Sequence, residues 1–116
     1  MKEHTNSEEH QTEKEGKTMA IIGYMTLIGA LIAMMMNADP KNAFARFHIR
    51  QAFGLHLIFH SFALLSSVAY NIYALYGLYL CYIILWTYGF IGALNKKKQL
   101  VPAIGPYFQK WFTFIQ

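Results

Sequence analysis

The chain has 116 residues and a formal net charge of +4, with 55% apolar residues and only 14% charged ones. An ordinary soluble domain carries about 25% charged residues, so this composition argues against one that hides its apolar surface from water alone. The Lys and Arg residues cluster at the ends of apolar runs, which reads as membrane topology rather than as a nucleic-acid face.

Residues 1–18 are polar and Glu-rich, hold five of the six acidic groups, and lack Val, Leu and Ile. Such a segment buries too little to offset its ordering entropy, so a disordered polar tail is expected there, ahead of a helical membrane domain over 19–116. It lacks the positive start and short apolar core of a secretory signal. From Met19 to Met36 no charge occurs, and about 18 residues at ~1.5 Å each give roughly 27 Å, a first transmembrane helix over 19–36. Gly29 and Ala33, four apart, permit close approach of another helix.

Asn37-Ala38-Asp39-Pro40 breaks the pattern, with Asp39 suited to a helix N-cap and Pro40 to the first helical position. A second helix is expected over 40–70, its first ten or so residues interfacial and its spanning part 52–70. Asn71 marks a tight turn. A third helix over 72–94, about 23 residues and ~34 Å, crosses with some tilt and stops at Asn95-Lys96-Lys97-Lys98. Gly89 and Ala93 repeat the small-residue spacing. Beyond Pro102 and Pro106, Ile104, Phe108, Trp111, Phe112 and Ile115 share one side, which predicts an amphipathic helix over 104–116 lying among headgroups. The fold expected is an all-α membrane protein with three transmembrane helices and this C-terminal interfacial helix. The first loop and helix base (Lys41, Arg46, Arg50) and the C-terminal segment (Lys96, Lys97, Lys98, Lys110) outweigh the tail in positive charge. The rule that cationic loops stay inside then places the N-terminus out and the C-terminus in.

The base of the second helix reads Phe47-His48-Ile49-Arg50-Gln51-Ala52. The third carries Tyr73-Ala74-Leu75-Tyr76-Gly77-Leu78-Tyr79, and the end reads Val101-Pro102-Ala103-Ile104-Gly105 before the aromatic helix. Together these resemble the Tic-twenty-like family, which groups the chloroplast inner-envelope import component with small bacterial membrane proteins. The likeness covers about residues 19–116; its most specific piece is His-x-Arg-Gln-Ala at 48–52, supported by Pro-x-x-Gly at 102–105. The resemblance implies a helical protein of the bacterial inner membrane and, through the plastid relative, an accessory role in protein transport or membrane assembly. Plastid members have four spans, one more than expected here. The resemblance brings no catalytic residues.

Two polar groups stand out against the apolar background. His48, Arg50 and Gln51 sit where the second helix enters the hydrocarbon. They read either as an interfacial anchor or as a binding site for a lipid headgroup or a partner peptide. His56 and His60, four apart, share a helix face, with His60 near the bilayer midplane, where an ionisable side chain is a functional hypothesis by default. The pair reads as interhelical hydrogen bonding to hydroxyls, as ligands in a haem- or metal-binding subunit, or as part of a proton or solute pathway in a small oligomeric channel or carrier. Tyr70, Tyr73, Tyr76, Tyr79 and Tyr82 recur every third residue, the outer ones suited to an interfacial belt and the deeper ones placed to offer hydroxyls to the two histidines.

No Gly-x-Ser-x-Gly, Gly-rich phosphate loop or paired carboxylates occur. The single Cys81 forms no intrachain disulfide. A non-enzymatic protein without a cofactor is therefore expected. Its partners would be membrane lipids and, since three helices leave much surface uncovered, further copies of itself or a larger membrane complex.

Overall fold

The computed structural model describes residues 2–69 and 71–115, with side chains from residue 14 onward. Among these are five helices and no strand: α1 Lys2–Met25, α2 Leu27–Met36, α3 Ala43–Val68, α4 Ile72–Leu94 and α5 Gly105–Trp111. Tyr70 and Gln116 lie outside the described residues.

The first apolar run is not one helix. It breaks at Thr26, whose extended backbone (φ −151°, ψ 171°) ends α1 and whose hydroxyl accepts from the Gly29 amide at 2.9 Å as the N-cap of α2. The chain then doubles back. A Cβ placed on Gly23 would lie 3.8 Å from Ala33 Cβ, and Met19 and Ala33 share one core cluster with Ala45 and Ile49. The close approach suggested by Gly29 and Ala33 is thus made within the chain, where Gly29 packs against the Ile22 carbonyl. A single span over 19–36 is replaced by a helical hairpin whose apolar arms, 19–25 and Leu27–Met36, are each too short to cross a bilayer.

The tail also departs from expectation, because α1 begins at Lys2. Glu, Lys and Gln are good helix formers, and a helix already nucleated by its packed apolar half extends at little further cost.

Between α2 and α3 the chain is held by two asparagines. Asn42 N donates to Asn37 Oδ1 at 2.8 Å, and Asn37 Nδ2 donates to Asn42 O at 3.1 Å. Asn42, not Asp39, caps α3, accepting from Ala45 N at 3.0 Å, so the helix starts at Ala43 rather than near Pro40. This side-chain clasp fixes the backbone of residue 42 in extended geometry, and residues 37–40 form turns instead.

α1 and α3 run parallel. Gly16 faces the Ala45 amide, and Gly23 faces Ile49 and Ala52. α4 returns antiparallel to α3, with Asn71 as its N-cap, accepting from Ala74 N at 3.1 Å. α3 and α4 are long and apolar enough to cross a membrane. The α1–α2 hairpin covers only their basal half. Toward Asn71 they pair with each other alone, and Leu64, Leu65, Val68, Ile72, Tyr73 and Leu80 stand exposed.

The expected orientation places the N-terminus and the C-terminal segment on opposite sides, whereas the hairpin brings the two to one end. Gly16 lies beside Asn42, so the N-terminal segment, the first loop and the Lys96–Lys98 turn occupy the same end of the bundle. No Asp, Glu, Lys or Arg occurs from Gln51 to Asn95, so the opposite end carries no charge.

The C-terminal helix is shorter than expected, and its expected apolar side is only partly covered, with Trp111 left 58% exposed. α5 ends at Trp111, and part of that side packs on α3: Phe108 and Ile115 are fully buried, and Phe53 meets Phe112 edge-on at 5.1 Å. Gly54 supplies the notch for the Phe108 ring, which a Cβ there would strike. Gly54→Ala is expected to destabilise by about 1–3 kcal/mol through overpacking, measured by unfolding in detergent. α4 ends in a Schellman pair, Lys96 N to Ala93 O (3.2 Å) and Lys97 N to Gly92 O (2.8 Å), with Lys96 at φ 57° where glycine is favoured. Lys96→Gly should stabilise by about 0.5–1 kcal/mol in the same assay.

Candidate functional site

The three residues of the 48–51 group do not act together. Three positions apart on a helix, His48 and Gln51 share one face and are fully buried, while Arg50 points away from them. Neither reading of the group as a headgroup anchor or as an open site survives for His48 and Gln51.

They belong instead to a closed hydrogen-bond network. His48 Nε2 lies 2.7 Å from Lys97 O, which can only accept, so that nitrogen carries the proton. Nδ1 is then an acceptor, taking the Tyr24 hydroxyl at 2.8 Å. The Tyr24 oxygen accepts in turn from Gln51 Nε2 at 2.8 Å, and the second hydrogen of that amide goes to Gln99 O at 3.0 Å. Gln51 Oε1 receives Val101 N at 2.9 Å. Every polar atom is used, and among the described residues no buried side-chain nitrogen or oxygen lacks a partner. The network ties α1 and α3 to the segment 97–101 and so holds the chain as it leaves α4. Gly89 makes room for it, since a Cβ there would sit 2.8 Å from the Tyr24 oxygen and 2.9 Å from Gln51 Nε2.

Arg50 has a different task. Its Nε donates to Ile115 O at 3.1 Å and an Nη to Thr113 O at 3.3 Å, fastening the C-terminal segment, while Gln109 Nε2 donates to Phe47 O at 2.7 Å.

Deeper in the bundle, His56 bridges three helices. Its Nε2 lies 3.1 Å from Gly23 O, which makes that nitrogen the donor, and Nδ1 accepts the Tyr82 hydroxyl at 2.6 Å. The deep tyrosine thus meets His56 as the three-residue spacing suggests. Gly23 O is free to accept because α1 stops two residues later; Tyr24 O, freed in the same way, accepts from Trp86 Nε1 at 2.6 Å.

His60 stacks on His56 with ring centroids 5.9 Å apart and planes 4° apart, yet it is exposed. It lines a shallow cleft of about 320 Å³ between α3 and α4 with Ala63, Leu64, Ser67, Leu75 and Tyr79. The histidine pair therefore divides: His56 is committed to the protein through both nitrogens, and His60 faces outward. A metal or haem iron at His56 would have to displace Gly23 O or Tyr82, and among the described residues no three His, Cys, Asp or Glu groups converge to hold an ion.

Tyr24, Trp86 and the backbone of 97–101 are the parts of the network that composition and spacing do not single out. A lone tyrosine and a lone tryptophan amid apolar runs carry polar atoms that need partners when buried, and that is the signal by which they were accessible.

Gln51→Ala strands the Val101 amide and two acceptors, and is expected to cost about 2–3 kcal/mol. Amide hydrogen exchange at Val101 should accelerate while exchange in distal α4 stays unchanged. Uniform loss of protection along the chain would contradict the connector-holding role. Comparison with protein-family models, with curated proteins and with solved structures returns no match for this chain.

Proposed function

We propose that the chain is a non-enzymatic integral membrane protein in which α3 and α4 cross the bilayer and the α1–α2 hairpin re-enters it part-way, turning at Thr26. The observation that carries this reading is the distal half of the α3–α4 hairpin. It is free of charge, apolar on its outer faces, and has 17% of the most apolar stretch of α4 buried within the chain. Water would penalise that surface and lipid would not. The Thr26 break itself is exposed, and its backbone is acceptable at membrane depth because His56 and Trp86 donate to the freed carbonyls of Gly23 and Tyr24 while the Thr26 hydroxyl caps α2.

All Lys and Arg residues then lie on one side, so both termini are cytoplasmic and Asn71 is outside. The bacterial inner membrane and an accessory role in protein transport or membrane assembly are carried by the Tic-twenty-like resemblance of residues 47–52 and 101–105. The uncovered α3–α4 hairpin suits such a role, being a surface that lipid, another copy of the chain or a larger membrane complex covers. A second reading, a small oligomeric carrier, draws on His60 standing exposed in its cleft. It requires flux in liposomes that His60→Ala abolishes.

Topology gives the direct test. In a Cys81→Ser background, a single cysteine at Asn71 should react with an impermeant maleimide on intact cells. Cysteines at Lys17 and Lys97 should react only after permeabilisation. External labelling at residue 17 would restore a third span, and recovery of folded protein in the supernatant without detergent would end the membrane reading.

A further inference from the structure

Two features that the proposed arrangement does not use meet on α5 and the base of α3. Arg46 and Arg50 lie one turn apart on the same helix face, a like-charge pair that is destabilising if nothing offsets it. Arg50 spends part of its fork on the carbonyls of Thr113 and Ile115, which leaves further N–H groups to donate. Gln109 bonded to Phe47 O lays α5 against this turn of α3 and brings the exposed Lys110 to the same region. Beside these cations stand three uncovered aromatic rings: Tyr107 at 51%, Trp111 at 58% and Phe114 at 63% exposure, the first two with ring centroids 5.3 Å apart.

Exposed Trp and Tyr next to a group of cations at the end of a spanning helix pair is the composition of a surface at headgroup level. The rings prefer the interface, and the cations require an anion there. We propose that Arg46, Arg50 and Lys110, with the rings of Tyr107, Trp111 and Phe114, form a docking face for the phosphate of an anionic phospholipid. The occupant is a lipid rather than a soluble anion because the aromatic half of the face gains nothing from phosphate alone. Arginine's planar fork suits the phosphate, and Lys110 adds a point charge. The proposal rests on the membrane reading above.

The full chain in dodecyl maltoside is titrated with dioleoyl phosphatidylglycerol or dioleoyl phosphatidylcholine, with bound lipid counted by native mass spectrometry. The glycerol lipid should bind with clear preference, and added salt should erode that preference. The double variant Arg46→Gln, Lys110→Gln, whose side chains hold no part of the packed core, should lose about 25-fold in affinity, since about 1 kcal/mol per cation is roughly fivefold. The pair Lys2→Gln, Lys14→Gln makes the same change in net charge on α1 and should leave binding within twofold. Equal binding of the two lipids, no loss in the first variant, or equal loss in both would overturn the site. A protein that needs detergent yet ignores lipid charge loses this proposal alone; one that is soluble without detergent loses the membrane reading with it.

Discussion

When a helix ends inside a protein, its last carbonyls must find donors, and here two of them find side chains from two different helices. α1 stops at Met25, and Gly23 O and Tyr24 O would otherwise be stranded in apolar surroundings at a cost of about 1–3 kcal/mol each. His56 reaches the first from α3 and Trp86 the second from α4. Because a ring nitrogen in a fixed rotamer meets one carbonyl at one height, these two bonds set the axial register of α1 against both long helices at once. Tyr82 completes the arrangement by donating to the other nitrogen of His56.

From that register the rest of the basal half follows. With Gly23 beside Ala52, Tyr24 falls opposite His48 and Gln51, and its hydroxyl becomes the hub of a network that holds residues 97–101. The same register puts Gly16 beside Asn42, so the first loop, the N-terminal helix and the lysine turn after α4 gather at one end. Glycine at 54 and 89 is a requirement of this packing, one admitting Phe108 and the other the Tyr24 hydroxyl. A fully satisfied buried network is strongly directional, and it selects one arrangement of helices that are otherwise similar apolar rods.

The polar side chains that draw the eye in the sequence are divided by this architecture between holding the fold and facing outward. His48, Gln51 and His56 saturate their hydrogen bonds inside the chain, and Arg50 clasps the C-terminal carbonyls while keeping donors to spare. His60 and the cations and rings around α5 remain for outside contacts.

Read alone, the sequence determined the helical class, the two long apolar helices 43–68 and 72–94 to within a few residues, the Asn71 turn and the end of α4 at Leu94, because these depend on local periodicity, capping and charge. It also paired a deep tyrosine with His56, since a helix repeats its faces predictably. What it left to the tertiary structure was every question decided by a partner distant in the chain. Whether Met19–Met36 runs straight or folds at Thr26 turns on one hydroxyl cap weighed against donors at positions 56 and 86, which no local window contains. The end of the bundle at which the N-terminal helix lies, the splitting of His48 and Gln51 from Arg50, and the inward turn of Phe108 all follow from that fold-back. Composition states how much apolar surface must be covered; only the assembled helices decide which of it covers itself.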